Sequence, residues 1–512
     1  MIHADLVGER ARLSPDRTAV VMVDGNDRFS YRELDRRAVG CARMWLYGLG
    51  LRPGDRVGIL SGNRIEFLDA FFAAGKSGIV LVPLNTRLAV PELEFIIRDC
   101  GLKALMYDED HRETVRRLRL RVDVERWIAF DEPAVAGDPD FADLVLTRGA
   151  GSSVRRRCRP EDPYCLLYTS GTTGRPKGVI TPHRQVAWNA YNTVVCWQLG
   201  ENDVSPVFTP LYHAGGLGAF LTPLILAGGT LVVHTAFDAT EVWRVIQEEG
   251  CTVVLGVPTI WKMLSEAPEF ATARLDHVRW FISGGAPLPK HLIEVFRERG
   301  VVLRQGYGLT EVGVNCFSMT DEEASRKAGP IGRPLMFTEA RVADESGHEL
   351  PPGEVGELWF RGPHVSAGYW NNPQATAEAL DRKGWFHTGD MAVRDADGFY
   401  SIAGRSKDMF ISGGVNVYPA EIENQLLQHP KLQDAAVVGA DDATWGEVGV
   451  AFVVMRPDEE LDPEELGGFL SGRLARYKIP KRFIAIDELP RTAYGKVVKG
   501  DLVAILQSET NE

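Results

Sequence analysis

The sequence lacks the long hydrophobic runs of a membrane protein, since none approaches the roughly 20 apolar residues that a membrane span needs. Its seven cysteines are scattered, without a CxxC pair or a histidine cluster. That pattern argues against structural zinc and suits thiols in a reducing compartment. A secretion signal begins with a basic region followed by an apolar core, and the first residues of this sequence do not show that pattern. We therefore predict a cytoplasmic protein.

Basic residues are also in the minority, because 57 Lys and Arg stand against 70 Asp and Glu, for a net charge of −13. This balance argues against nucleic acid as a partner. It does not exclude phosphate binding, which depends on local groups. With 512 residues the chain is too long for one core, so we expect at least two domains. Oligomeric state stays open between monomer and homodimer.

The most distinctive stretch runs from residue 168 to 178 and reads Tyr-Thr-Ser-Gly-Thr-Thr-Gly-Arg-Pro-Lys-Gly. It follows an apolar run, 164–168, that predicts a buried strand. Glycines allow successive backbone N–H groups to converge on an anion, and the hydroxyls and Lys177 add donors and charge. These groups suit a polyphosphate. The spacing is not the GxxxxGK[ST] of P-loop NTPases, because no Ser or Thr follows a Gly-Lys pair within residues 168–178.

Strand and helix signals alternate through most of the chain, which predicts parallel sheets covered by helices. The predicted strands are 57–60, 79–83, 207–210, 230–234, 252–256, 278–282 and 301–305. The predicted helices between them are 65–75, 217–226, 241–249 and 290–299. Three of these strand ends lead into unusual loops, at 212–216, 283–287 and 306–311. Ligands bind outside the carboxyl ends of strands in open α/β sheets, so we expect a ligand site at these loops.

From about residue 330 the pattern changes to short strands and turns, which indicates a β-rich subdomain. Residues 409–512 then have strand and helix signals of their own, with helices predicted at 420–428 and 463–475. We therefore predict an α/β protein with a large N-terminal domain, 1–406, of parallel-rich sheets plus the β-rich subdomain. A small, mobile α+β domain, 407–512, would follow.

The stretch at 168–178 closely resembles the phosphate-binding loop of the adenylate-forming superfamily, which includes acyl- and aryl-CoA synthetases, peptide-synthetase adenylation domains and luciferases. Further motifs match in family order, among them 306–311, 387–390, 404–408 and 490–496. The resemblance implies an ATP-dependent acid–thiol ligase, an acyl-CoA synthetase that forms an acyl-adenylate and passes the acyl group to CoA. Such an enzyme would release AMP and pyrophosphate, and would need ATP, Mg²⁺ and CoA.

The resemblance also implies site residues. It assigns ATP binding to Thr169, Ser170, Gly171, Thr172, Thr173, Gly174, Lys177, Gly284, Gly285, Ala286, Pro287, Gln305, Gly306, Tyr307, Gly308, Thr310, Asp390, Arg405 and Lys407. Within this set the glycine loop would hold the phosphates, and Asp390 would accept hydrogen bonds from the ribose. Thr169 and Glu311 would meet Mg²⁺, a hard cation that takes oxygen ligands.

Lys496 matches the family's catalytic lysine, and its ammonium would stabilise charge on the α-phosphate while a carboxylate attacks. No general base is needed, because the nucleophile is already ionised. In the family the small domain then rotates about a hinge at the position of Lys407 and admits the thiol. The residues implied in CoA binding are Gly413, Gly414, Trp445, Tyr477 and Lys481.

His213 matches the family position that closes over the carboxylate, and its alternative is a core histidine with satisfied hydrogen bonds. The expected acyl pocket is lined by Gly215, Gly216, Leu255, Val257, Gly313 and Val314. No acidic residue stands in 212–216 to bind an α-amino group, and no pocket cation would pair with a second carboxylate. A medium- or long-chain fatty acid or an aromatic acid is expected. The alternative is an enzyme that loads a carrier-protein phosphopantetheine, and a non-catalytic nucleotide-binding relative is a further rival.

Overall fold

A computed structural model describes residues 4–149, 151, 153–154, 158–169, 175–327, 329–413, 415–442, 444–492 and 496–510. In the part of the chain before residue 306, the strands are β1 Thr18–Met22, β2 Arg28–Ser30, β3 Arg56–Leu60, β4 Val80–Pro83, β5 Ala104–Tyr107, β6 Arg126–Ala129, β7 Pro163–Thr169, β8 Lys177–Pro182, β9 Val204–Val207, β10 Thr230–Val233, β11 Val253–Gly256, β12 Trp280–Ser283 and β13 Leu303–Gln305. The helices of the same part are α1 Leu6–Leu13, α2 Tyr31–Arg43, α3 Ile65–Ser77, α4 Val90–Cys100, α5 Arg112–Arg119, α6 Phe141–Arg148, α7 His183–Cys196, α8 Ala214–Gly218, α9 Leu221–Ala227, α10 Ala239–Glu248, α11 Pro258–Glu266 and α12 Lys290–Glu298.

These strands form three sheets, and most of their pairs are parallel. A six-stranded sheet has the order β6-β5-β3-β4-β7-β8, in which only β8 is antiparallel to its neighbour. A four-stranded sheet has the order β2-β1-β10-β9, and β11, β12 and β13 form a parallel sheet of their own. The largest hydrophobic cluster joins residues of α2, α3, α7 and α9 to the first two sheets. The predicted parallel α/β architecture is confirmed.

A β-rich part follows, as predicted. Its elements are β14 Phe317–Ser318, α13 Asp321–Arg326, β15 Arg333–Pro334, β16 Glu339–Ala343, β17 Val355–Arg361, α14 Pro373–Ala379, β18 Phe386–Arg394 and β19 Tyr400–Arg405. Strands β16 to β19 form an antiparallel sheet in sequence order. Its core is separate from that of the preceding sheets and centres on Phe317, Leu358 and Phe360.

The C-terminal part has its own mixed sheet and its own core. Its elements are β20 Phe410–Ser412, β21 Val415–Val417, α15 Pro419–Leu426, β22 Leu432–Asp442, β23 Gly446–Met455, α16 Pro463–Leu470, β24 Arg482–Ala485 and α17 Lys499–Thr510. Lys407 lies in a short 3₁₀ turn, Ser406–Asp408, between β19 and β20. It thus connects the β-rich sheet to the C-terminal sheet. The helices in the described part of the chain are too short or too polar to cross a membrane.

Three predicted elements were wrong in their bounds. The strand predicted at 207–210 is β9, which ends at Val207 and contains Pro206. A proline is tolerated there because β9 forms the edge of its sheet. The helix predicted at 217–226 is two helices, α8 and α9, since Pro223 fits only in the first turn of a helix. The helix predicted at 463–475 ends at Leu470, before Gly472 with its φ of +83°.

Candidate active site

The strands on either side of the predicted phosphate loop form an antiparallel hairpin. Thr169 is the last residue of β7 and lies opposite Lys177, the first residue of β8. The hairpin therefore fixes both ends of the loop. Residues 170–174, which include the predicted Ser170, Gly171, Thr172, Thr173 and Gly174, lie outside the described residues. The Lys177 ammonium lies 5.1 Å from the centre of the Tyr369 ring.

Tyr369 connects this hairpin to the predicted metal ligand. It bridges to Val179 of β8, and its hydroxyl donates a hydrogen bond of 3.0 Å to Glu311 Oε1. Burial raises the pKa of Glu311, although the bond from Tyr369 opposes that effect. A bound cation would offset the cost of this buried negative charge, so the carboxylate fits Mg²⁺. Within the described ranges, no group of three or more His, Cys, Asp or Glu side chains is placed to hold a metal ion.

The carboxyl ends of β11, β12 and β13 lie side by side. Ser283 pairs with Gly256 on one side and with Gln305 on the other. The Gly284 N–H donates to the Gly256 carbonyl at 3.1 Å, and the Gly306 N–H donates to the Ser283 carbonyl at 2.7 Å. Gln305 Oε1 accepts a 3.0 Å hydrogen bond from the Leu288 N–H. The predicted adenine loops, 284–287 and 305–308, are therefore neighbours.

Asp390 is 4% exposed and is held by two side chains. The Tyr307 hydroxyl donates to its Oδ2 at 2.6 Å, and Arg405 Nε lies 2.9 Å from its Oδ1. Asp390 and Arg405 face each other across β18 and β19. The carboxylate is thus fixed beside the adenine loop to which Tyr307 belongs. Through Tyr307, Asp390 on β18 contacts the 306–311 segment, which also contains Thr310 and Glu311.

Lys496, although far along the chain, belongs to the same electrostatic environment. Its carbonyl accepts a 2.7 Å hydrogen bond from the Thr492 N–H. The residue as a whole is exposed, yet desolvation of its ammonium lowers its pKa to about 8. The charges of Arg405 and Lys407 add to this shift, and those of Asp390 and Asp408 oppose it. The Lys496 ammonium is therefore within range of the charges of Arg405 and Asp390.

His213 is the N-cap residue of α8, at the entrance to that helix. Burial lowers its pKa to about 4, with a smaller contribution from Arg87. The imidazole is therefore neutral at neutral pH and would orient a carboxylate by hydrogen bonding rather than by charge.

A cavity of about 50 Å³ lies where α7, α8 and α9 meet β7, β8 and the 310–314 loop. Its lining comprises Phe71, Cys165, Leu167, Thr181, Gln185, Val186, Asn189, Ala214, Leu217, Gly218, Thr222, Thr310, Gly313 and Val314. Of the predicted pocket residues, Gly313 and Val314 belong to this lining. Gly215, Gly216, Leu255 and Val257 do not, although the first two lie in α8 beside residues that do.

The residues predicted to bind CoA lie in the C-terminal part. Gly413 has a φ of +59°, and a Cβ atom there would lie 2.8 Å from the Trp445 ring. Only glycine combines that backbone with such close contact. The Lys481 ammonium is 5.7 Å from the centre of the Trp445 ring, whereas Tyr477 packs on the C-terminal core. Gly414 lies outside the described residues.

Sequence reasoning missed Tyr369, Gln185 and Asn189. Tyr369 lies outside the sequence motifs, and its bridge to β8 places its hydroxyl against Glu311. Gln185 Nε2 donates a 2.8 Å hydrogen bond to the Thr310 carbonyl from α7. The fourteen-residue α7 carries several buried polar side chains, among them Gln185 and Asn189. Because buried polar side chains normally need hydrogen-bond partners, several of them in one buried helix are a sequence signal for a ligand-binding site.

Comparison with known proteins gives matches over nearly the whole chain. The AMP-binding enzyme family matches residues 7–370, and the AMP-binding enzyme C-terminal domain matches residues 421–496. The chain is similar to a feruloyl-CoA synthase of Amycolatopsis sp., with 42% identity over 96% of both chains. It is also similar to the long-chain-fatty-acid–CoA ligase FadD13 of Mycobacterium tuberculosis, with 36% identity over 96% of both chains.

A solved structure of ATP-bound MatB from Rhodopseudomonas palustris superposes with a TM-score of 0.89, at 32% identity and over 98% of this chain and 99% of that one. The apo form of the same protein gives 0.79 at the same identity and coverage. The relative placement of elements in this chain is therefore closer to the ATP-bound form. That agrees with the position of Lys496 beside the Asp390 site.

Proposed function

This chain belongs to the AMP-binding enzyme family. We propose that its phosphate and adenine loops form one site for two half reactions, acyl-adenylate formation and acyl transfer to CoA, and that Lys496 acts in acyl-adenylate formation. The chain is an AMP-forming acid–CoA ligase that binds ATP and an acyl substrate. The observation that carries the proposal is the organised nucleotide site, in which Tyr307 and Arg405 hold Asp390 and Tyr369 holds Glu311. The charges of Arg405 and Asp390 also act on the Lys496 ammonium. A lysine from the C-terminal part meets the N-terminal nucleotide site only when the two parts close on each other.

ATP would lie with its phosphates on the β7–β8 loop, between Thr169 and Lys177. The ribose hydroxyls would donate to Asp390, and the adenine would lie along the 284–287 and 305–308 loops. Glu311, with Thr169, would hold Mg²⁺, which supplies positive charge to the polyphosphate when bound. Tyr369 keeps the Glu311 carboxylate in one orientation for this purpose.

In the first half reaction a carboxylate oxygen of the acid forms a bond to the α-phosphorus. The bond from that phosphorus to the bridging oxygen breaks, and pyrophosphate leaves with both electrons. Protonated Lys496 stabilises the negative charge that two anions bring together. Neutral His213 would close over the carboxylate end of the acid.

In the second half reaction the CoA sulfur bonds to the acyl carbonyl carbon, AMP leaves, and the thiol proton passes to solvent. Lys496 must first move away, and the turn at Lys407 is the proposed hinge of two domains, 1–406 and 407–512. Gly413, Trp445, Tyr477 and Lys481 are proposed to contact CoA. The acid is proposed to be a medium- or long-chain fatty acid or an aromatic acid, since the cavity walls are largely apolar.

The test is an acid panel of short, medium and long alkyl acids and aryl acids, with ATP and Mg²⁺, in the presence and absence of CoA. We expect acid-dependent pyrophosphate release without CoA, limited to about one turnover, and sustained AMP release with CoA. The thioester is identified by mass spectrometry. Reactions that lack the acid are the control. Sustained AMP release that is indifferent to CoA, or release without any acid, contradicts the proposal.

A further inference from the structure

The wall of the cavity formed by α7 carries two amide side chains on one helix face, four residues apart. Gln185 Nε2 donates a 2.8 Å hydrogen bond to the Thr310 carbonyl, and Asn189 Nδ2 donates a 2.7 Å hydrogen bond to the Gly218 carbonyl. A carbonyl accepts only from the nitrogen end of an amide, so these bonds fix both orientations. Each amide oxygen is therefore left as an acceptor.

Both oxygens are buried, and neither has a hydrogen-bond partner among the described residues. Gln185 is 3% exposed and Asn189 is 5% exposed. Buried acceptors in folded proteins are almost always paired, because leaving one unpaired costs its full desolvation. Two such acceptors in the wall of one cavity indicate that a bound molecule supplies donors.

The rest of the cavity is suited to a mostly apolar molecule. Phe71, Leu167, Val186, Leu217 and Val314 contribute apolar walls. The approach to Asn189 is kept open by Gly313, which has a φ of +83° and whose missing Cβ would lie 2.9 Å from Asn189 Oδ1. Any side chain there would be strained and would press against the acceptor. The cavity therefore combines apolar walls with an unobstructed polar patch.

We propose that the acid activated by this enzyme carries a hydroxyl group on its tail, which donates a hydrogen bond to Asn189 Oδ1, with Gln185 Oε1 as a second acceptor for a hydroxyl or a water beside it. This inference rests on the proposed function, because it takes the cavity to be the acyl pocket. A second carboxylate on the tail is disfavoured, since two acceptors would face a group that has no proton to donate. Asn189 is thus a specificity-determining residue, on a helix outside the family motifs.

The test compares acids that differ only in the hydroxyl: para-hydroxycinnamate with cinnamate, and omega-hydroxyhexanoate with hexanoate. The ratio of kcat/KM values for acid-dependent pyrophosphate release is measured for each pair. We expect wild-type protein to favour the hydroxylated member of at least one pair by about 10-fold or more, the scale set by leaving buried acceptors unpaired. A ratio near one, or below it, in both pairs overturns the inference.

Variants then assign the preference. Asn189→Leu has a similar volume but no acceptor, and we expect its ratio to fall to about one. Loss of the Asn189 bond to Gly218 affects both members of a pair alike, so the ratio isolates the tail contact. Val186→Ala, which changes the same wall without changing its polarity, should keep the wild-type ratio. Asn189→Leu that keeps the full preference overturns the inference.

Thermal unfolding with and without ATP shows whether each variant is folded. Should Asn189→Leu fail to fold, Gln185→Met takes its place, and we expect a reduced ratio because the second acceptor is gone; an unchanged ratio in that variant overturns the assignment. Failure of the proposed function looks different, since no acid of either kind would then release pyrophosphate. Activity with plain alkyl or aryl acids and no hydroxyl preference leaves the ligase intact and removes only the tail contact.

Discussion

At the nucleotide end of the site the acidic groups are already held by protein donors, whereas the acyl cavity contains acceptors that the described protein does not satisfy. Tyr307 and Arg405 hold Asp390, and Tyr369 holds Glu311. In the cavity, Asn189 and Gln185 each use only their nitrogen. The difference separates two tasks. ATP is always the same ligand, so its contacts can be organised in advance, whereas the acceptors in the proposed acyl pocket would be satisfied only by the acid.

The largest expected effect comes from removing the charge at the nucleotide end. Lys496→Ala should slow acyl-adenylate formation by ~10²–10³, the usual loss for one electrostatic stabiliser of a transition state. Acid-dependent exchange of pyrophosphate into ATP measures this step. Lys262→Ala is a matched control, because Lys262 is a partly exposed lysine on α11 that pairs only loosely with Glu266 at 3.9 Å. An equal loss in both variants would remove Lys496 from the reaction.

A smaller but more selective effect is expected at the hinge. Lys407→Pro fixes one backbone angle in the turn between β19 and β20 and also restricts Ser406. We expect pyrophosphate release in a single turnover to stay near normal, while acyl transfer to CoA slows by about 10-fold or more, because the proposed domain motion turns at this residue. Acyl-AMP should accumulate on the protein, as rapid-quench chromatography would show. Lys407→Ala is the control for the side chain. Equal slowing of both steps, or of neither, places the hinge elsewhere.

Loss of a single organising bond should have a modest effect. Tyr307→Phe removes the donor to Asp390 Oδ2 but keeps the ring, which packs with Phe317 and Phe360. We expect the KM for ATP to rise about 3- to 10-fold, the net value of one hydrogen bond, with little change in the KM for the acid. A rise in the KM for the acid instead would mean that the two ends of the site are not separate.

Titration of Lys496 should have the smallest effect at neutral pH and a larger one only at alkaline pH. The pKa of Lys496 is lowered to about 8, so its protonated fraction falls as pH rises through that value. Acyl-adenylate formation should therefore decline by up to about 10-fold per pH unit above that point, since only the charged form stabilises the phosphate. Lys496→Arg should be slower at neutral pH but lose this decline, because arginine stays protonated. An identical decline in the arginine variant would assign the titration to another group.

The same contrast between the two ends explains what the sequence could predict. The nucleotide loops follow strands, and parallel strands end at a common edge, so contiguous glycine-rich segments such as 283–287 and 306–311 could be placed together in advance. The pairing of Thr169 with Lys177, on either side of the predicted phosphate loop, also follows from adjacent strands.

The acyl cavity follows from packing instead. Its walls come from α3, α7, α8 and α9, and helix residues face a cavity only when the neighbouring helices turn them there. The predicted helix 217–226 is in fact two helices, α8 and α9, because Pro223 fits only in the first turn of α9. Leu255 and Val257 were expected in the lining and lie outside it, whereas Asn189 and Gln185 were not expected. No local spacing marks these side chains, because their role depends on contacts with distant segments.

The most direct test of the central claim is to give Lys496→Ala a pre-formed acyl-adenylate together with CoA, and to follow thioester formation in a single turnover. Lys496 is assigned to the first half reaction alone and must leave the site before the thiol enters. Lys496→Ala should therefore form the thioester at a rate close to that of the wild-type protein, although the same variant barely forms acyl-adenylate from ATP. A loss of thioester formation as large as the loss of acyl-adenylate formation would contradict it.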